Sequence, residues 1–166
     1  GQVLPTAISL GITAIFRKND KDEIRIHSTD FEDTVTLKLN ALPEQKQGHW
    51  RDFILGVIRH LKRTGIAVNG FDILLSSSLP KASGLSSSAA LEVLMYYLLY
   101  FESVGEEPDR IQMAVDCQKI ENEFIGVNCG IMDQFAVANG KRNHAILLNC
   151  ETLNYELTPL NLEDHA

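Results

Sequence analysis

The chain has 166 residues, 45% of them hydrophobic and 22% charged, and a formal net charge of −7. That balance fits one globular domain or a large piece of one, and it excludes a disordered or membrane-spanning chain. The acidic charge without a basic stripe argues against nucleic acid as a partner, because phosphate backbones reward clustered Lys and Arg, but it leaves open a nucleotide held by backbone N–H groups and a cation.

Residues 3–17, "VLPTAISLGITAIFR", are rich in β-branched side chains and broken by Pro5 and Gly11, which predicts two short strands with a bend between them. "DEIRIHS" and "DTVTLKLN" alternate apolar with polar or charged residues and read as half-buried antiparallel strands. "HWRDFILGVIRHLKRTG" places Trp50, Phe53, Ile54, Val57, Ile58 and Leu61 at helical spacing and stops at Gly65. "NGFDILLSSSLP" predicts a turn and a strand closed by Pro80. Residues 85–101 are apolar nearly all round beyond their serines, as a buried central helix would be. "EPDRIQMAVDCQKIENEFIG" predicts a further helix ending at Gly126, and "HAILLNCETLNYELTPL" a β-hairpin. Strands first, then helix, strand, helix, helix and hairpin, make an α+β domain.

Cys117, Cys129 and Cys150 are odd in number and lack C-x-x-C spacing, so free thiols in a reducing cytosol are expected, and with them a cytoplasmic location. The five histidines are scattered without metal-ligand spacing. The opening Gly1, the strand-like start and an end without a closing element are expected of a piece cut from a longer protein.

Between strand and central helix lies "PKASGLSSSAA". A helix N-terminus carries unpaired N–H groups and about half a positive charge, which makes it an anion site. Gly84 admits close approach of a ligand or backbone, and Ser86, Ser87 and Ser88 add hydroxyls that can reach phosphate oxygens or Mg²⁺. Serines are equally favoured as helix N-caps, so the residues alone leave both roles open. Neither G-x-x-x-x-G-K-[ST] nor G-x-G-x-x-G occurs.

The segment Pro80 to Ala90 resembles the P-x-x-x-G-L-S-S-S-A signature of the GHMP kinases. A second stretch, Glu121 to Leu160, with "CGIMDQF" followed by "GK..HA.LL.C..L.YE..P", resembles the galactokinases within that superfamily, and "GFDILL" and "GHW…GV" extend the likeness over the whole chain. The resemblance implies the N-terminal domain of that fold, a mixed sheet with packed helices and a left-handed βαβ unit, although the general preference is for right-handed crossovers. It further implies ATP and Mg²⁺ as cofactors, small-molecule partners, a monomer, and transfer of phosphate to the anomeric hydroxyl of galactose.

Site residues follow from the same resemblance. Asp133 matches the general base at the sugar hydroxyl. Gly84, Leu85, Ser86, Ser87, Ser88 and Ala89 match the ATP-binding loop, and Ser88 and Glu121 the Mg²⁺ ligands. Cys129 and Gly130 stand where a backbone N–H could meet sugar oxygens, and Trp50 lies in the part placed near adenine, where it could equally pack the core. The family's N-terminal sugar-binding motif and its C-terminal glycine-rich motif are absent from the sequence, so the chain alone is expected to have little or no activity. Within the class, N-acetylgalactosamine is the alternative substrate. A non-catalytic galactose and ATP sensor of transcription is the alternative outside it, disfavoured by the complete "GLSSSAA".

Overall fold

The computed structural model describes residues 1–80 and 84–160; Lys81, which the sequence gives no role, and the closing residues 161–166 lie outside the described residues. Strands β1 (Gln2–Val3), β2 (Ile12–Lys18), β3 (Glu23–Ser28) and β4 (Asp33–Lys38) precede helix α1 (Arg51–Arg63) and strand β5 (Phe71–Ser77). Helices α2 (Ser87–Val104) and α3 (Arg110–Ile120) follow, then a π-helical turn (Glu121–Ile125), α4 (Met132–Asn139), β6 (His144–Asn149) and β7 (Tyr155–Pro159). The α+β class and nearly every expected element are present.

A mixed sheet runs β2-β5-β3-β4, with β5 antiparallel to β2 and parallel to β3, and β3 antiparallel to β4. Its register follows from the alternation: Ile24 and Ile26 pair with Leu37 and Val35 and are buried, while Arg25 and His27 point outward. The crossover from β3 to β5 runs through β4 and α1, whose Ile54, Val57, Ile58 and Leu61 form the buried stripe. Each such fully buried side chain contributes about 1.5–3 kcal/mol.

The two strands expected in the opening segment belong to different sheets. β1 pairs with β6 in the antiparallel sheet β1-β6-β7, through Gln2 to Asn149 and Val3 to Leu148, whereas β2 lies on β5. Pro5 and Gly11 lie in the stretch that carries the chain from one sheet to the other.

Helix α2 is the hub, packed against α1, α3 and α4, with Met95 and Leu99 fully buried. Helix α4 has no counterpart among the expected elements. Eight residues are too few to hold a helix in water, and Ile131 at its N-cap makes no side-chain cap bond. Tertiary packing forms it instead: Phe135 is fully buried and meets Tyr155 edge-on at 5.1 Å, and α4 rests on α2 and α3. At its C-terminal end, a Cβ on Gly140 would stand 2.5 Å from that of Ala7, so this glycine lets the segment after β1 close over α4.

Candidate active site

The chain leaves β5 and enters α2 through a tight, left-handed backbone. Gly84 has φ +70°, and Ser86, the residue before the helix, has φ +53°. For a residue with a Cβ that conformation costs roughly 1–2 kcal/mol. Ser86 makes no side-chain cap bond to the helix. The hydroxyl cap that the sequence left open is therefore not formed, and the start of an 18-residue helix stands without it.

Two clefts meet this loop. The larger, about 820 Å³, is lined by Gly84, Leu85 and Ser86, by Asp133 and Met132 in the first turn of α4, and by the stretch from Val3 to Leu10. Ser87 and Ser88 face a second cleft of about 380 Å³ with Asp30, Phe31, Trp50 and Ser77. The serine loop is thus the wall between the two. Ala89 is buried in the first turn of α2, so only its backbone can serve a ligand.

Trp50 does not simply fill the core. It is half-buried and lies parallel to Phe31, with centroids 5.5 Å apart, and its Nε1 donates to Asp33 Oδ2 at 3.3 Å. The loop that delivers it is held by Asp52. This buried carboxylate accepts the backbone N–H groups of Gln47, Gly48 and His49 at 2.7–3.0 Å. Phe31 and Asp33 escaped the sequence reading because nothing local ties the β3–β4 turn to residue 50.

Glu121 opens the π-helical turn and is 5% exposed; its Oε1 has no hydrogen-bond partner. A buried oxygen without a donor fits a residue that awaits a hard cation, which prefers oxygen ligands and keeps several waters. Ser88 is half-buried in the first turn of α2. Among the described residues no cluster of three or more His, Cys, Asp or Glu is arranged to hold a metal on its own.

One turn beyond Ser88, Glu92 is completely buried with both oxygens unpartnered. Burial, and then the charge of Glu121, pushes its carboxyl up to about 9. Its signal in the sequence is a lone acid between Leu91 and Val93 in an otherwise apolar helix.

Cys129 and Gly130 are not among the residues lining the larger cleft. The Cys129 N–H donates to Asn122 Oδ1 and to the Val127 carbonyl, both at 2.9 Å, so it is already engaged. Burial and the nearby Glu121 carboxylate push its thiol up to about 11, which leaves little thiolate at neutral pH. Cys117, Cys129 and Cys150 are all free thiols.

The family described as the GHMP kinases N terminal domain matches residues 52–141 of this chain. The chain belongs to that family. Along its full length it is 39% identical to a galactokinase of Clostridium tetani and 41% identical to one of Bacillus subtilis. It spans 42% and 43% of those two proteins, less than half of either. The crystal structure of Lactococcus lactis galactokinase complexed with galactose superimposes with a TM-score of 0.91 at 35% identity, over 99% of this chain and 43% of that one. A mevalonate kinase from Methanococcus jannaschii shares the fold alone, with a TM-score of 0.76 at 21% identity over 93% of this chain and 48% of that one.

Proposed function

We propose that the protein to which this chain belongs is an ATP-dependent galactose kinase, transferring the γ-phosphoryl group to the anomeric hydroxyl and releasing galactose 1-phosphate and ADP. The observation that carries this is the shared cleft: Asp133 on α4 and the Gly84–Ser86 turn before α2 face one space. Galactokinases aligned along the whole chain favour galactose as the sugar.

In this mechanism the uncapped start of α2 and its serines receive the phosphates, where N–H dipoles offset negative charge. The cleft beside Phe31 and Trp50 takes the flat, apolar base. Asp133 accepts the proton of the sugar hydroxyl as its oxygen closes on phosphorus. Ser88 and Glu121 would hold Mg²⁺, which when bound neutralises charge on the phosphates. Catalysis is chiefly positioning and charge stabilisation. Further sugar contacts are assigned to parts of the full-length protein outside this chain, so the isolated segment should turn over little.

The test is galactose-dependent ADP release by the full-length protein, with Asp133→Asn beside it and N-acetylgalactosamine and mevalonate as competing substrates. Turnover on galactose that falls by about 10²–10⁴ in the variant is expected. Binding of sugar and ATP without turnover would overturn the kinase in favour of a sensor.

A further inference from the structure

The oddest chemistry among the described residues is a set of buried side-chain oxygens without hydrogen-bond partners. Glu92 is fully buried on α2, whose other buried residues are aliphatic or aromatic, and Gln134 is 1% exposed on α4. Both oxygens of Glu92, Oε1 of Glu121 and Oε1 of Gln134 lack any hydrogen-bond partner. These side chains converge on one place. The Cys129 thiol feels Glu121, Gln134 and Glu92 together, and Gln134 Nε2 donates to its sulfur at 3.7 Å. Each unmet buried acceptor costs about 1–3 kcal/mol, more for a charged group. Such a set persists when something else supplies the donors.

Position identifies the supplier. Ser88 and Glu92 are four residues apart on α2, so they lie on one face with Glu92 a turn deeper. Glu121 approaches Glu92 from the π-helical turn, a distortion that often re-aims functional side chains. Ser88 and Glu121 provide too few ligands for a cage, and no cluster of His, Cys, Asp or Glu completes one among the described residues. A magnesium ion here would keep much of its water, and each bound water carries protons that need acceptors. A place where buried oxygens are left without partners beside a candidate cation ligand suits the water shell of a cation. It suits neither an anion nor an apolar group.

Resting on the nucleotide–cation reading above, we propose that Glu92, with Gln134 beside it, is a positioning residue that receives the waters of a hydrated divalent cation held at Ser88 and Glu121. It touches the cation only through those waters and orients the shell. The unmet oxygens are then a cost carried by the cation-free fold and relieved on binding.

The experiment uses the full-length protein, Mn²⁺ as the probe and a non-hydrolysable ATP analogue, with free Mn²⁺ followed by electron paramagnetic resonance. Glu92→Met removes both oxygens at similar volume. Glu92→Gln keeps the shape and serves if the first variant does not fold. Loss of an outer-shell partner weakens metal binding by about tenfold or more, and that loss is expected in both variants. Metal-free binding of the analogue should stay within about twofold, since Glu92 lies away from the ligand-facing loop. Glu92→Met should also melt higher than wild type without a cation, because an apolar side chain replaces unpaired buried oxygens. A purely structural glutamate would give the reverse. Mn²⁺ affinity unchanged in a folded variant overturns the role of Glu92 and leaves the kinase standing. A wild type that binds the analogue but no Mn²⁺ overturns the cation site itself, and the role of Glu92 with it.

Discussion

Trp50 lies flat against Phe31, ring centroids 5.5 Å apart and planes 7° from parallel, at the mouth of the cleft beside Ser87 and Ser88. β4 adds a third anchor by accepting the indole N–H at Asp33. One wall of the proposed base pocket is therefore built by a loop of the sheet and the entry to a helix.

Removing one ring should loosen the other. Such aromatic pairs contribute about 0.5–1.5 kcal/mol beyond their buried area, so Phe31→Ala should raise KM for ATP by about three- to tenfold. KM for galactose should change far less. Trp50 is the chain's one tryptophan, so its emission in this segment reports the same loosening. Equal effects on both substrates would show that the stack supports the fold rather than the base pocket.

The left-handed backbone at Ser86 separates loop shape from hydroxyl chemistry. Ser86→Gly keeps the shape without strain and should leave KM for ATP within about twofold. Ser86→Val adds a β-branch at φ +53°, a conformation in which branched residues are outliers, and should raise it by about tenfold through strain beyond what Ser86 already carries. Steady-state kinetics of the full-length variants distinguish the two. A large loss in Ser86→Gly would place the hydroxyl itself on the phosphate.

Asp52 should matter for stability out of proportion to its place outside the clefts. Asp52→Ala strands the N–H groups of Gln47, Gly48 and His49, and hydrogen bonds to a charged group contribute about 1.5–3 kcal/mol. Urea unfolding should show a loss of about 2 kcal/mol or more. Asp52→Asn, with one acceptor oxygen left, should fall between.

Acid sensitivity should centre on Asp116, which ties α1, α2 and α3 together. Its carboxylate receives Tyr96 Oη at 2.7 Å and Gln112 Nε2 at 2.9 Å, and stands 3.3 Å from His60 Nε2. Burial alone would raise its pKa, but the His60 imidazole beside it and the hydrogen bonds from Tyr96 and Gln112 outweigh it and hold the group below its ordinary value. A depressed folded pKa means stability that is fully present above the unfolded value near 3.8 and lost as pH falls through the folded one. Tyr96→Phe should shrink that acid-dependent loss and lower stability at neutral pH by about 1–2 kcal/mol. An unfolding free energy whose acid limb is the same in the variant would remove Asp116 from the account.

The sequence by itself determined the secondary structure wherever a period repeats. Ile24, Ile26, Val35 and Leu37 announce half-buried strands, and Ile54, Val57, Ile58 and Leu61 a helix stripe, because burial of one face imposes period 2 or 3.6 on the chain. It also supplied Asp133 and the serine loop, whose spacing is local and so survives as a motif. Tertiary structure decided the rest. Helix α4 exists because Phe135 is buried against its neighbours, so the element bearing Asp133 has almost no local signal. β1 and β2 parted into two sheets because their partners, β6 and β5, lie far along the chain. The stacking of Phe31 on Trp50 and the hydrogen bond of Tyr96 to Asp116 join residues from separate elements. No local pattern encodes such contacts, because they are made only when packing brings those elements together.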